Sequence, residues 1–303
     1  MQAPDDFNAP VGVAEQLDDG LRRILAPNPS PMTYRGTNTY LIGDRDLAVV
    51  DPGPDSEAHL QAILAALHPD QRISHILVTH AHLDHSPLAR RLGQITDAPV
   101  LAYGDYRAGQ SAVMAELAAA GLAGGGEGVD NRFTPDQTVA DGEVIKGDGW
   151  SLEALWTPGH FGNHLSFAKD DVILTGDLVM GWASSLVSPP DGDLTDFMRS
   201  CEMLQNRPAR RFHAGHGAPV DAPAERLDWL IAHRRQRETQ ILEALSQKGG
   251  TVSALTQVIY TEVPPALIPA AERNVFAHLV DLYVKNIVIC SDPLSFKTHF
   301  DLR

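Results

Sequence analysis

Short apolar runs, separated by polar and glycine-rich breaks, fill the first two thirds of the chain and predict both strands and helices. The runs rich in Val, Ile and Leu predict strands at Thr39–Ile42, Leu47–Val50, Ile73–Thr79, Pro99–Tyr103, Val144–Ile145, Leu152–Thr157, Leu165–Phe167, Val172–Thr175 and Arg211–Ala214. Apolar residues at helical spacing predict helices at Ser56–His68, Pro87–Leu92, Tyr106–Ala120 and Asp196–Leu204. The predicted order is strands, then helices, then strands and helices again. This order favours two sheets packed face to face with helices outside.

Two breaks in this pattern are long enough to interpret. Residues 1–35 are rich in proline and acidic residues, with Leu21–Leu25 as their one apolar cluster, so the first clear strand is predicted at Thr39–Ile42. Gly121–Gly128 predicts a flexible loop after an alanine-rich helix. Two interpretations of this loop stay open, a plain surface loop and a flap over an active site.

The pattern changes after Pro223. Three helices are predicted beyond it, at Ala224–Leu245, Val252–Tyr260 and Ala270–Asn286. Two β segments behind them predict a small hairpin wing, Ile287–Cys290 with Phe296–His299. A boundary near Pro219–Pro223 divides the chain into a large domain of residues 1–221 and a small helical domain of residues 222–303.

Composition adds constraints on size and on charge. With 303 residues, 43% of them hydrophobic, the chain can bury a sizeable core. The formal net charge of −15 lies in residues 1–221, which carry 15 basic and 30 acidic side chains, while residues 222–303 carry 9 of each. This balance argues against tight, non-specific binding to long nucleic acids. The local basic cluster of Arg234, Arg235 and Arg237 is expected on a solvated helix face.

Cysteines and the N-terminus bear on the cellular compartment. Cys201 and Cys290 are the only cysteines, which suits neither a disulfide framework nor a cysteine metal motif. Two buried free thiols in a reducing compartment are therefore expected. Asp5 and Asp6 stand where a signal peptide would be basic, and no apolar run approaches the ~18 residues that span a bilayer. These features predict a cytoplasmic protein that enters no membrane.

The stretch from Val78 to Ser86 is dense in metal-binding side chains, because it holds three histidines and an aspartate just after a predicted strand. Imidazole nitrogens and carboxylate oxygens together suit zinc, iron or manganese. Side chains of an extended segment alternate with a period of two, so His80 and His82 point to the same side. Asp84 and His85 then point elsewhere, towards a second ion.

Three further candidates follow later strands, and each is flanked by glycine, which lets the backbone approach an ion closely. His160 follows Leu152–Thr157 after a Pro-Gly turn. The other two are Asp177 in Thr-Gly-Asp and His216 in Gly-His-Gly. Each of these short motifs is a weak indication of a metal ligand when it is taken alone. Their order after the histidine cluster indicates that they belong to the same metal site.

The motif His80-x-His82-x-Asp84-His85, with the three later candidates in this order, resembles the metal-ligand signature of the metallo-β-lactamase superfamily without a departure. The resemblance implies an α/β (α+β) fold, the αββα four-layer sandwich of that superfamily. It also implies two divalent metal ions, with zinc expected and iron or manganese as alternatives. One ion is then held by His80, His82 and His160, and the other by Asp84, His85 and His216, with Asp177 bridging them.

The same resemblance implies a reaction and a set of supporting residues. A water or hydroxide between the ions has its pKa lowered from about 16 to about 7 and attacks without a separate base. Asp84 is the predicted catalytic residue, which orients that group and passes its proton to the leaving group. Asp51 either hydrogen-bonds a ligand histidine or its own loop, or only forms a turn. His164 either reaches substrate or a ligand, or is structural, as is expected of His213.

Segments outside the ligand motifs narrow the branch of the superfamily. Asn28–Thr33, Gly36–Leu41, Ser188–Asp193 and the helical tail resemble lactamase-beta-like hydrolases that carry a C-terminal winged-helix domain. Some members of that branch cleave single-stranded RNA. The small domain of residues 222–303 is therefore expected to be winged-helix-like.

The resulting hypothesis is a metal-dependent hydrolase acting on an ester-type bond in a small ester, thioester or lactone. One alternative is an endoribonuclease that cleaves single-stranded RNA. Another is a winged-helix nucleic-acid-binding regulator with an inert large domain, which the intact ligand set and the neutral tail disfavour. A small-molecule substrate is the expected partner, with RNA and a homodimer left open and no membrane. The acidic balance of residues 1–221 favours small, weakly charged substrates over a polyanion.

Overall fold

The structure of the protein is a computed structural model that describes residues 7–303. Asp5 and Asp6, on which the prediction about a signal peptide rests, lie outside the described residues. Within the described range, no helix is long and apolar enough to cross a membrane.

The N-terminal part forms a seven-stranded sheet whose strands lie side by side in chain order. Its strands are β1 (Ala14–Asp18), β2 (Leu21–Leu25), β3 (Asn38–Ile42), β4 (Asp46–Val50), β5 (Arg72–Leu77), β6 (Val100–Ala102) and β7 (Gln137–Thr138). From β1 to β4 the strands pair antiparallel, and from β4 to β7 they pair parallel. The parallel connections contain the helices α1 (Glu57–Ala65), α2 (Leu88–Thr96) and α3 (Ala112–Ala119).

A second sheet of five strands follows, in the order β12-β11-β10-β9-β8. Its strands are β8 (Val144–Gly147), β9 (Trp150–Trp156), β10 (Leu165–Lys169), β11 (Val172–Gly176) and β12 (Arg211–Ala214). The helix α4 (Leu194–Gln205) connects β11 to β12, which pair parallel. The carboxyl ends of β9, β11 and β12 are followed by His160, Asp177 and His216.

The two sheets pack face to face, and adjacent residues of one strand point into different layers because side chains alternate along a strand. In β5, Leu77 lies in the apolar layer between the sheets, whereas Ile76 packs with residues of α1 and α2 on the outer face. In β11, Leu174 lies between the sheets and Ile173 packs with residues of α4. The order helix, sheet, sheet, helix confirms the predicted four-layer αββα sandwich.

The C-terminal part is helical with a small sheet, as expected of a winged-helix-like domain. Its elements are α5 (Pro223–Gln247), β13 (Gly250–Thr251), α6 (Val252–Ile259), a short 3₁₀ turn (Pro265–Leu267), α7 (Ile268–Val284), β14 (Val288–Ile289) and β15 (His299–Leu302). The three strands pair in the order β13-β15-β14. Helix α5 serves two cores, since Leu227 and Leu230 pack with α4 while Ile241 and Leu245 pack with α6 and α7. The boundary between residues 221 and 222 stays a prediction.

Several predicted elements need correction. The first strand is not Thr39–Ile42, because β1 and β2 precede it and the apolar cluster Leu21–Leu25 is β2 itself. The helix predicted over Tyr106–Ala120 begins only at Ala112, since Asp105 accepts two backbone N–H groups in a turn and Gly109 has a φ of 75°. The two-residue strand β7 was not predicted, because both of its residues are exposed and carry no apolar signal.

The wing and one cysteine also differ from expectation. Its second strand is His299–Leu302 rather than Phe296–His299, because Thr298 closes a turn by donating to the Pro293 carbonyl oxygen. Cys201 is a buried free thiol, as expected. Cys290 is a free thiol as well, but it is partly exposed because it follows the edge strand β14.

Candidate metal centre

His80, His82 and His160 form the first group of side chains at the rim of the sandwich. The Nε2 atom of His80 lies 2.9 Å from Nδ1 of His82, and Nε2 of His160 lies 3.1 Å from the same atom. His160 donates its Nδ1 proton to the Leu186 carbonyl oxygen at 2.7 Å, which leaves a lone pair on Nε2. Three imidazole nitrogens therefore converge on one point.

Burial keeps this first group neutral. It lowers the pKa of His82 to about 3, and it also lowers the pKa of His80 and of His160. Neutral imidazole is the form that binds a metal, because the lone pair is free.

Asp84, His85, Asp177 and His216 form the second group. Nε2 of His216 lies 3.1 Å from Oδ2 of Asp84 and 3.2 Å from Oδ2 of Asp177, and Nε2 of His85 lies 3.3 Å from Oδ2 of Asp84. Burial alone would lower the pKa of His216, but the carboxylates of Asp177 and Asp84 outweigh it and raise that pKa to about 10. The pKa of His85 is raised in the same way, and the pKa values of both aspartates are lowered despite their burial.

The two groups are adjacent and fully inside the protein. All seven side chains are buried, and within each group the ligand-type atoms lie within 4.8 Å of one another. Asp177 faces both groups, because its Oδ2 atom is also 3.8 Å from Nε2 of His160. The structure thus brings together all seven residues that the sequence singled out, in the two groups expected, with Asp177 between them.

The side chains fit a pair of divalent cations. The Oδ1 atoms of Asp84 and Asp177 are buried and accept no hydrogen bond from residues 7–303, which is costly for a carboxylate oxygen away from water. Gly215 leaves space for the second group, because a Cβ there would lie 2.3 Å from Oδ1 of Asp177 and 2.8 Å from Cε1 of His85. Imidazole nitrogens with carboxylate oxygens are the donor set of zinc, iron and manganese.

Asp51 supports both groups from behind. Its Oδ2 atom lies 2.9 Å from Nδ1 of His85 and accepts the Thr79 hydroxyl proton at 2.8 Å, while Oδ1 accepts the Thr79 backbone N–H at 2.7 Å. Since the Thr79 hydroxyl donates to Asp51, it accepts from Nδ1 of His80 at 2.9 Å. Asp51 therefore sets the ring orientation of a histidine in each group. Of the alternatives predicted for it, the hydrogen bond to a candidate ligand histidine is present, and its other partner is Thr79 after β5 rather than its own loop.

His164 and His213 lie behind the site and do not line the cavity above it. Nε2 of His164 accepts the backbone N–H of Asp177 at 3.1 Å, and its Nδ1 faces the Thr157 hydroxyl at 2.9 Å. Of the alternatives for His164, the contact with a candidate ligand is present, since His164 holds the backbone of Asp177, and His164 is not among the residues that line the cavity. His213 bonds Asp18 at 2.9 Å and is structural, as expected.

A cleft of about 440 Å³ opens above the two groups. His82, Asp84, His160 and Asp177 line its floor. Its walls are mostly apolar and come from Pro31 and Met32, from Met180 to Leu186, and from the C-terminal domain between His233 and Asn274. Residues of the C-terminal domain therefore shape this cleft.

The glycine-rich loop also borders this cleft. Gly126 and Glu127 line the cavity, and the Gly128 carbonyl oxygen accepts the Leu83 backbone N–H at 3.0 Å. The loop is therefore tied to the histidine cluster at its C-terminal end. It is more than a plain surface loop, and its action as a flap stays a prediction.

The basic cluster on α5 lies only partly on a solvated face. Arg235 is exposed and pairs with Glu202 at 3.1 Å, as expected. The prediction is wrong for Arg234, which is 3% exposed and donates to Asn274 Oδ1 at 2.8 Å and to the Ser185 carbonyl oxygen. It is also wrong for Arg237, which lines the cleft. The cause is tertiary, since α7 and residues 183–186 cover this face of the helix.

The cleft wall contains residues that the sequence did not single out as functional, among them Trp182, Arg237 and Tyr260. Arg237 stood in a visible basic cluster, but nothing local distinguishes it from Arg235 two positions earlier. Residues two positions apart on a helix point to different faces. Which of the two side chains is buried depends on which face another element packs against.

The sequence of this chain matches two protein-family models and several known proteins. Residues 32–216 match the family model described as "Metallo-beta-lactamase superfamily", and residues 251–290 match "Beta-lactamase associated winged helix domain". A "Beta-lactamase-like protein 2 homolog" of Caenorhabditis elegans is 30% identical over 294 residues, which cover 95% of this chain and 90% of the relative.

Two further likenesses concern activity and fold. An "Atrochrysone carboxyl ACP thioesterase" of Aspergillus fumigatus is 29% identical over 280 residues, covering 87% of this chain and 79% of that protein. The crystal structure of a beta-lactamase domain protein from Burkholderia ambifaria superposes with a TM-score of 0.80 at 20% identity, covering 100% of this chain and 97% of that one. The last likeness bears on the fold alone.

Proposed function

Because this chain belongs to the metallo-beta-lactamase superfamily of hydrolases, we propose that it hydrolyses an ester-type bond of a small molecule, with a thioester as the first candidate. A small ester or a lactone offers the same carbonyl chemistry and belongs to the same proposal. The observation that carries it is the small, largely apolar cleft above the two groups of metal-binding side chains.

We assign the metal ligands as the sequence predicted them. His80, His82 and His160 hold one divalent ion, and Asp84, His85 and His216 hold the other, with Asp177 shared. Bound ions supply a nucleophilic water at neutral pH and polarise the carbonyl oxygen of the substrate. Zinc is the proposed metal, because five imidazoles and two carboxylates suit it well, with iron and manganese as alternatives.

Asp84 is the proposed catalytic residue. Its carboxylate is buried at the floor of the cleft, and its Oδ1 atom has no hydrogen-bond donor among the described residues. That oxygen is therefore available to orient the attacking water and to hold its proton before the proton passes to the leaving group.

The size and lining of the cleft favour a small acyl compound. A volume of about 440 Å³ falls in the range of small-molecule sites, which are mostly apolar with a few polar groups. The name of the Aspergillus fumigatus relative describes a thioesterase, and this supports a thioester before an oxygen ester.

Cleavage of single-stranded RNA is the second candidate, and one observation favours it. Arg237 in the cleft wall has no carboxylate partner among the described residues, so the field inside the cleft is less hostile to a phosphate than the acidic net charge suggests. The small, largely apolar lining of the cleft disfavours a polyanionic polymer. A cytoplasmic location and a homodimer stay predictions from the sequence.

The test is a comparison of substrates. Purified protein loaded with zinc or manganese should hydrolyse small thioesters or esters faster than single-stranded RNA at equal concentration. The Asp84→Ala variant should lose at least a hundredfold in kcat, which excludes a contaminating enzyme. Robust cleavage of RNA that depends on Asp84, without turnover of any small ester, would replace this proposal with the ribonuclease.

A further inference from the structure

Three arginines on α5 have no carboxylate partner among residues 7–303: Arg226, Arg234 and Arg237. Several surface arginines elsewhere pair with acids, for example Arg72 with Asp46 at 2.8 Å and Arg211 with Asp221 at 2.6 Å, whereas these three are buried or lie in the cleft wall. The three unpaired cations therefore need another explanation.

Two of the three are accounted for by structural contacts. Arg226 donates to the Met180 carbonyl oxygen at 2.7 Å and to the Ala183 carbonyl oxygen at 2.6 Å. Arg234 donates to Asn274 and to the Ser185 carbonyl oxygen. Both thereby hold residues 180–185, which form one wall of the cleft, against α5.

Arg237 is different, because it lines the cleft and is only partly satisfied. One of its Nη atoms donates to Gln240 Oε1 at 2.7 Å, and its Nε atom is buried without a hydrogen-bond acceptor among the described residues. The guanidinium lies 4.0 Å from the centre of the Tyr260 ring, which holds it flat. An oriented guanidinium with an unused donor inside a cleft is a ready anion site.

The acids that line the cleft do not compete for this guanidinium. Asp84 and Asp177 belong to the metal centre, and Glu127 accepts the Ser30 hydroxyl proton at 2.6 Å. His233 also lines the cleft and stacks on Trp229 with ring centres 5.0 Å apart. On the side of the cleft formed by the C-terminal domain, the described lining residues carry no acidic group.

We propose that Arg237, backed by Tyr260, binds an anionic group on the non-reacting part of the substrate, either a carboxylate or a phosphate. This inference rests on the proposed hydrolysis of a small ester-type bond. The reacting carbonyl would lie at the floor of the cleft beside Asp84, and Arg237 engages the anion at the wall. A substrate held at two points is oriented for attack, so Arg237 determines specificity rather than chemistry.

The experiment uses two matched pairs of thioesters with zinc-loaded protein. In the first pair, acyl chains of equal length end in a carboxylate or in a methyl group, over a series of chain lengths. In the second, the same neutral acyl group is carried on phosphopantetheine or on pantetheine. The first pair tests for a carboxylate on the acyl side, and the second tests for a phosphate on the leaving side.

The expected result is a preference of about tenfold or more in kcat/KM for the anionic member of one pair, expressed mainly in KM. Arg237→Gln should abolish that preference while turnover of the neutral member stays within about threefold. Arg235→Gln, the exposed control two residues away, should leave the preference unchanged. Arg237→Met replaces the glutamine variant if the latter does not fold.

Two results would overturn the proposal: a preference that survives in a folded Arg237 variant, or its absence from the wild type in both pairs. Calorimetry distinguishes the absence of the anion site from the absence of thioester hydrolysis. If no thioester is turned over, zinc-loaded protein should still bind a dicarboxylate more tightly than a monocarboxylate of equal length, and Arg237→Gln should remove the difference. Equal binding of the two acids would contradict the anion site independently of catalysis.

Discussion

Asp51 shows how much of the site depends on a residue that binds no ion in our assignment. Its two oxygens take hydrogen bonds from Thr79 and His85, and through the Thr79 hydroxyl it also orients His80. It does so from an unusual backbone position, with a φ of 50°. Aspartate tolerates that conformation better than most residues.

Replacing Asp51 should therefore weaken both halves of the metal centre. We expect Asp51→Asn to lower zinc affinity by about 10- to 100-fold, since the amide cannot accept at both oxygens and the ring orientations are lost. Competition with a chromogenic chelator measures this affinity. Asp55→Asn, an exposed aspartate in the same loop, should bind zinc as the wild type does. Unchanged affinity in Asp51→Asn would contradict the supporting role.

His59 makes folding dependent on pH at a place away from the metal ligands. Burial lowers its pKa to about 4, its Nε2 lies 2.7 Å from the Thr39 hydroxyl, and its Nδ1 is buried without a partner. The folded state thus binds fewer protons than the unfolded state below a pH of about 6.5. The stability contributed by neutral His59 is present above that pH and is lost as pH falls towards 4.

Between pH 7.5 and pH 5 this single group should lower the free energy of unfolding by about 2 kcal/mol. His59→Gln keeps a donor for Thr39 but does not titrate, so its loss of stability over this range should be smaller by about that amount. Urea unfolding of chelator-treated protein at both pH values measures it without a contribution from bound metal. Identical pH dependence in the two proteins would show that His59 does not titrate in this range.

Among the elements, α5 and α7 decide what the C-terminal domain can do. Helix α5 packs on α4 with its first half and on α6 and α7 with its second, so it connects two cores. In a helix-turn-helix, the second helix enters the DNA groove, and here that helix is α7. Residues 275–282 of α7 are all buried, and Ala277 packs in the core around α4.

The whole chain should therefore not bind duplex DNA through its winged helix. The helix that would enter the groove is covered, and nine basic residues against nine acidic ones in residues 222–303 release few counterions. Fluorescence anisotropy in physiological salt should show no submicromolar binding. Tight binding that is insensitive to loss of Asp84, the proposed catalytic residue, would instead support the regulator hypothesis.

For the whole molecule, the net charge is a poor guide to the field in the cleft. The total of −15 suggests a surface that repels anions, but most described surface arginines are neutralised by neighbouring acids. Arg237 is not, and it faces the cavity. The net charge of the protein governs the long-range approach of a charged ligand. Binding inside a cleft depends instead on the groups that line the cleft.

Metal content is a property of the whole site. With zinc, iron or manganese supplied, elemental analysis of the purified protein should give two equivalents per chain, because two adjacent groups of ligand-type atoms are present. His216→Ala should reduce this to about one equivalent, since it removes a ligand from only the second group. Saturation of the wild type at one equivalent would contradict the two-ion assignment.

The sequence by itself was sufficient to predict the sandwich and the seven residues of the candidate metal centre. Each of these residues follows a strand with a clear apolar run: the histidine cluster follows β5 of the seven-stranded sheet, and the later three residues follow strands of the five-stranded sheet. Their grouping around two ions was implied by the resemblance to the superfamily. The strands β1 and β7 have no such apolar run and were not predicted. An apolar pattern reveals a strand only where the strand is buried, and these two strands are half-exposed or short.

Only the tertiary structure decided which residues surround the metal centre. Arg237 and Tyr260 meet Asp84 and His82 in one cleft, although they lie far apart in the chain. Arg234, Arg235 and Arg237 are alike in sequence, yet one is buried, one is exposed and one faces the cavity. The physical reason is that local pattern determines which face a side chain occupies on its own helix, whereas its environment depends on what packs against that face.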